Sequence, residues 1–247
     1  MAGTVHEEAI KLRKNIDAVY DAGKQAEQDR FWDEYQKNGE RVAYNSAFFG
    51  QYWGDGCFQP KYDMRPTNAN LMFQECWVTD LAGILKERGV VLDLSNCTSM
   101  KMAFYWCKKM TNIPTVDTTA TTDDSANGTF YYLFGSDSAL KSIEKIILKQ
   151  SGEQEFNNTF SGCSALREVR FEGVIGRSLN IQGVAGISVE SLKSAISCLK
   201  NYAGTEYEQA YTFKIHSVSW ADLERSGTAP DGGTWENYVK FTLGWAI

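Results

Sequence analysis

Apolar residues near the start of the chain recur at alternating spacings of four and three: Val5, Ala9, Leu12, Ile16, Val19, Gly23 and Ala26 fall on one helical stripe. The spacing predicts a helix over residues 5 to 30 with a heptad seam carried by Val5, Leu12, Ile16 and Val19. A short helix with so narrow a stripe is marginal alone in water and needs a partner face. Two arrangements supply one: a parallel coiled coil between copies of the chain, or packing against the chain's own body or another subunit. From Phe31 to Pro66 the pattern breaks. Asn38-Gly39, Gly54-Asp55-Gly56 and two prolines interrupt it, and ten aromatic rings lie between Phe31 and Tyr62. These rings are expected to cover the open apolar end of the domain that follows.

Between residues 67 and 178 the pattern repeats. The frame is Phe, then a small residue three on, then two aliphatic residues at further steps of three: Phe104, Cys107, Met110, Ile113; Phe134, Asp137, Leu140, Ile143; Phe160, Cys163, Leu166, Val169. A first copy keeps Phe73 and Cys76, then has Thr79 in the third position and Leu81 beyond it. Successive Phe anchors lie 31, 30 and 26 residues apart, about the span of one leucine-rich-repeat turn. Short β-type runs follow the later copies, at residues 111–116, 143–148 and 169–175. The unit is therefore a turn plus a strand, and no single copy can bury its own apolar face.

The polar segment 117–129 has no apolar anchor before Phe130 and reads as an exposed loop. Beyond it, the pattern predicts a strand at Leu179–Ile181 and a helix from Ser188 to Gly204. A strand at Tyr211–Ile215, a short helix capped by Ser219, a helix at Trp235–Phe241 and a final strand at Leu243–Ile247 complete the reading. The expected fold class is mixed α/β. A short leucine-rich-repeat-like solenoid with a parallel strand ladder occupies 67–178, behind a helical stalk (1–30) and an aromatic linker and cap (31–66). A strand and helix cap closes it (179–247).

A net charge of −6 with acidic and basic residues interspersed leaves no basic stripe for nucleic acid or an anionic membrane. No apolar run is long enough to span a bilayer, and the charged first thirty residues lack the apolar core of a signal sequence, so synthesis in the cytoplasm is expected. The six cysteines are widely spaced, contain no C-x-x-C, and read as buried free thiols. His6 and His216 are the only histidines, and neither lies near a nucleophile elbow or a paired metal spacing. Phosphate-cradling loops are missing, and Asp123 and Asp124 sit in the polar loop. No catalytic residue, metal or cofactor is expected. Large side chains at variable positions of the frame stand out instead: Trp77 in the first copy, and Tyr105, Trp106, Lys108 and Lys109 in the second, where later copies carry Gly135, Ser136, Ser161 and Gly162. Such rings suit a platform for sugar stacking or a protein hot spot. The alternative is packing beneath the aromatic cap.

The Phe-x-x-Cys-x-x-Leu frame, with the Pro that follows in T-N-I-P, resembles the BspA-type leucine-rich repeat of bacterial surface proteins. The combination of FWDEYQKNG, PTNANLMFQEC, IPTVDTT, SGCSALREVRFEGVIG and a terminal GWAI is similar to leucine-rich-repeat proteins encoded by phages and prophages of gut Firmicutes, over residues 30 to 247. The resemblance implies a virion or tail-associated structural protein. Its partners would be other virion proteins or a host cell-surface glycan or protein, and it would oligomerise through the N-terminal helix. A bacterial surface adhesin is a second reading, against which the missing signal sequence argues, and a glycan-active enzyme is a third. Thr79 and Asp137 depart from the frame, so the resemblance carries over no activity residue by residue.

Overall fold

The computed structural model describes residues 58–247 together with Ala26, Arg41–Ala43, Ala47 and Phe48. Val5, Leu12, Ile16 and Val19 of the heptad seam lie outside the described residues, as do most of the aromatic linker. The fold is mixed α/β, and every strand pairing among the described residues is parallel. β1 (Arg41–Ala43) pairs with β2 (Arg65–Asn68). The principal sheet has β5 (Ser142–Ile147) at its centre. On one side β5 pairs first with β3 (Asn112–Ile113) and then with β4 (Val116–Asp117); on the other it pairs with β6 (Glu168–Glu172). A third sheet joins β7 (Leu179–Asn180) to β8 (Phe213–Lys214). Within residues 58–247 the helices are α1 (Leu81–Arg88), α2 (Val189–Ser197), α3 (Ser217–Arg225) and the short α4 (Trp235–Asn237), which runs into a π-helical turn at Tyr238–Thr242.

Parallel strands need a long crossover, and in the principal sheet the connections into β5 and β6 contain the Phe134 and Phe160 turns. The strand register aligns the copies. Asp80 bridges Asn112, which pairs with Ser142, which pairs with Glu168, so Leu81, Ile113, Ile143 and Val169 form one buried rung. Thr111 N–H donates to Thr79 O at 2.5 Å, which places Val78 beside Met110, Leu140 and Leu166, all buried. The first copy is therefore one residue short after Cys76. Val78 and Leu81 fill the aliphatic slots that spacing alone had given to Thr79 and a position beyond it.

The Phe anchors stack. Ring centroids are 5.0 Å apart from Phe48 to Phe73, 5.5 Å from Phe73 to Phe104, and 5.7 Å both from Phe104 to Phe134 and from Phe134 to Phe160. Phe58 closes one end edge-on, 5.3 Å from Phe48. Backbone hydrogen bonds hold the same spacing: Leu71, Phe73 and Glu75 donate to the carbonyls of Lys101, Ala103 and Tyr105; Phe104 and Trp106 to Leu133 and Gly135; Tyr132, Phe134 and Ser136 to Asn157, Thr159 and Ser161. Left-handed backbone recurs two residues before and two residues after each Phe, at Leu71 and Glu75, Met102 and Trp106, Tyr132 and Ser136, and Asn158 and Gly162. Each residue other than glycine there costs about 1–2 kcal/mol, which persists because neighbouring turns dictate the conformation.

Several expectations are corrected. The segment 117–129 is not wholly exposed: Thr118, Thr121 and Thr129 are buried. Gln154, also buried, donates to the Thr118 and Thr121 hydroxyls at 3.1 and 3.2 Å and accepts from Lys149 N–H at 2.9 Å. A polar run can line a core when a distant side chain satisfies it. The helix α1 was not anticipated; Asp80 caps it by accepting from Gly83 N–H at 2.9 Å, and Gly89 closes it at φ 65°. α2 stops at Ser197 rather than Gly204, because Ile175 N–H captures Cys198 O at 2.7 Å and Lys200 N–H returns to Ile175 O. His216, not Ser219, caps α3, its Nδ1 accepting from Val218 N–H, and Ser219 is buried inside the helix. The final strand reduces to a single bridge between Thr212 and Ala246.

Candidate functional site

The variable residues singled out in the sequence stand on consecutive turns. Trp77 and Trp106 are each 42% exposed. Lys109 Nζ lies 3.6 Å from the centre of the Trp77 ring, and Lys108 Nζ lies 4.4 Å from that of Trp106, both close enough for cation–π attraction. Tyr105 touches Trp106 at 6.3 Å between centroids and meets Tyr132 edge-on at 5.3 Å; Tyr132 in turn meets Tyr131, and Lys101 Nζ sits 5.1 Å from the Tyr131 ring. The structure thus joins Tyr105, Trp106 and Lys108 to Tyr131, Tyr132 and Lys101 of the adjoining turns, and pairs Trp77 with Lys109. The rings do not vanish into the core.

Two backbone features set this surface. Trp106 occupies a left-handed position (φ 61°) whose equivalent in the fourth turn is Gly162, so an indole stands where glycine is the unstrained residue. Gly135 lies beneath the tyrosines, and a Cβ there would come within 2.5 Å of Tyr132 and 3.3 Å of Tyr105. The glycine makes room for their contact. Tyr131, Tyr132 and Lys101 were missed in the sequence because they precede the Phe anchors rather than follow them. Their signal is the Y-Y-L-F run and the equivalence of Lys101 with Tyr131, each three residues before its Phe.

The groups able to do chemistry are placed otherwise. Cys76, Cys97, Cys107, Cys163 and Cys198 are buried thiols outside any disulfide. Cys107 and Cys163 donate through Sγ to the carbonyls of Phe73 and Phe134, and burial pushes both thiols well up, away from the reactive thiolate. Asp137 occupies the same slot in the third copy. Its Oδ1 accepts from Cys107 N–H at 2.6 Å, Oδ2 receives no hydrogen bond, and burial raises the carboxyl well above the usual range. Asp124 is held by Lys149 at 2.6 Å, while Asp123 accepts from Ser125 N–H, so the two carboxylates do not form a working pair. His216 is a helix cap. Among the described residues no group of His, Cys, Asp and Glu side chains could hold a metal ion, and no helix is long and apolar enough to cross a membrane.

A second aromatic cluster lies towards the C-terminus. Tyr202 packs against Tyr207, Tyr211 and Trp245, with Arg177 5.0 Å from the Tyr211 ring. Its members donate to backbone carbonyls, Tyr202 Oη to Gly176 O and Trp245 Nε1 to Lys200 O, and so serve as joints of the fold. No family model, curated protein or solved structure matches this chain.

Proposed function

We propose that this chain is a non-enzymatic virion or tail-associated protein. Its leucine-rich-repeat-like turns stack as a short solenoid and present the Trp77–Trp106 face to a host cell-surface glycan. The observation that carries the reading is the pair of half-exposed indoles on consecutive turns, each with a lysine ammonium over the ring. Trp106 is held there in a left-handed conformation that the fourth turn fills with Gly162. Rings stack on the apolar faces of sugars, and Lys101, Lys108 and Lys109 add cations for acidic groups on them. Support for the solenoid comes from the recurring register of the Phe turns, and the heptad spacing near the N-terminus would join copies to raise avidity.

The test is calorimetric titration of the full-length protein with purified host cell-wall polysaccharides, alongside a neutral control polysaccharide. Wild type should bind an acidic glycan, and Trp106→Gly should weaken it by at least about tenfold while the protein stays folded. If no host glycan binds and Trp106→Gly instead blocks incorporation into particles, the face belongs to a structural partner. Polysaccharide cleavage by the wild type would overturn the non-enzymatic reading.

A further inference from the structure

The stack of Phe turns ends on an open edge. In each earlier turn, N–H groups at or two residues either side of the Phe donate to carbonyls of the turn that follows; the third turn spends all three, from Tyr132, Phe134 and Ser136. The fourth turn has no successor. The equivalent N–H groups of Asn158, Phe160 and Gly162 donate to no acceptor among the described residues. The carbonyl of Phe160 accepts only the local Cys163 N–H at 3.1 Å, whereas that of Phe73 takes the S–H of Cys107 besides its local N–H, and that of Phe134 takes the S–H of Cys163. This row faces a groove of about 610 Å³, lined also by Ser178, Asn180, Gln182, Thr212 and Lys214.

The strand half of the same edge is sealed. Ser191 Oγ of α2 accepts from Val169 N–H at 2.9 Å, and Ser194 Oγ accepts from Phe171 N–H at 2.8 Å while donating to Phe171 O. The chain therefore supplies its own partners for β6 and leaves the adjoining turn with donors facing a polar groove. Unpaired edges of this kind are templates for another chain.

We infer that this groove is a second binding site, and that its occupant is a polypeptide segment of a partner protein, seated as a further turn by main-chain pairing. The chemistry of the occupant follows from the molecule itself. Backbone carbonyls two residues apart meet all three donors at the first and third junctions between turns and two of them at the second, so the complement of Asn158, Phe160 and Gly162 is a run of alternate main-chain carbonyls. A side-chain donor reaching Phe160 O would complete it, as Cys107 and Cys163 do in the turns before.

The probe is an acetylated, amidated peptide copying residues 155–163, the segment that already pairs with the equivalent row of the third turn. Amide hydrogen exchange is followed by NMR on the full-length protein. In the free protein the amides of Asn158, Phe160 and Gly162 should exchange much faster than those of Tyr132, Phe134 and Ser136, and millimolar peptide should slow the three by about tenfold or more. Gln182→Trp, which fills the groove from an exposed position, should abolish the slowing and leave the third-turn amides protected. Trp106→Gly should respond as wild type, which separates this site from the aromatic face. No slowing at saturating peptide, or slow exchange in the free protein, overturns the proposal. Protection that grows with protein concentration alone would assign the groove to a second copy, and protection by an oligosaccharide but not by peptide would assign it to a glycan; either refutes it.

Discussion

Replacing Asp137 by asparagine should make the protein more stable than wild type, by a margin that grows with pH. Neighbouring occupants of the slot are thiols that donate to the carbonyl of the preceding Phe: Cys107 to Phe73 at 2.7 Å and Cys163 to Phe134 at 2.9 Å. A protonated carboxyl offers an O–H in the same place, whereas a carboxylate offers only acceptors, and Oδ2 receives no donor. Burial is the larger influence and raises the Asp137 carboxyl; the Cys107 N–H bond lowers it by less. The native state then keeps a proton that the unfolded chain loses near pH 3.9. With more protons bound in the native state, stability is fully present below that value and falls as pH rises towards the native-state pKa, by about 1.4 kcal/mol per pH unit. Asparagine keeps an oxygen for Cys107 N–H, supplies N–H in place of O–H, and does not titrate. Urea unfolding of both proteins between pH 4.5 and 8, followed by tryptophan fluorescence, measures the difference, and subtraction cancels groups common to both. A difference flat in pH would mean that Asp137 is ionised in the native protein and that the argument from its neighbours is wrong.

Trp77 and Trp106 are equally exposed, but only Trp106 has left-handed backbone, so Trp77→Gly should destabilise by about 1–2 kcal/mol more than Trp106→Gly in chemical denaturation; equal losses would deny the strain. Phe160→Ala removes a ring that is 3% exposed and stacked 5.7 Å from Phe134, and should cost about 3–5 kcal/mol, with an unchanged melting temperature counting against its place in the core. Gln154→Leu leaves Lys149 N–H without its acceptor and should cost about 1–3 kcal/mol, with faster exchange of the Lys149 amide; a protected Lys149 amide would contradict the network.

Much of this architecture was legible in the order of residues. The Phe, Cys and aliphatic frame marks interior positions that repeat, because a stacked turn admits only certain volumes at each place. Ser188 announced α2, and the exposed indoles were visible as large residues where other copies carry glycine or serine. The signals bracketing α1, Asp80 and Gly89, were present but masked by a first copy one residue short, since a fixed spacing of three cannot register a deletion. Other properties had no local signature. Gln154 satisfies threonines more than thirty residues away, and nothing in the polar run 117–129 shows that it is lined from elsewhere. Side-chain identity does not reveal the sign of φ at Trp106; the hydrogen bond to Gly135 O of the next turn does. Spacing put Asp137 in the frame slot of Cys107 and Cys163, but only the closed turns show that its Oδ2 receives no donor. The open donors of Asn158, Phe160 and Gly162 exist only because stacking stops there while α2 seals the strand beside them. Composition and spacing chose which residues go inside, because burial is a property of each side chain. The tertiary structure alone decided which polar groups inside find partners, because a hydrogen bond is a property of two places at once.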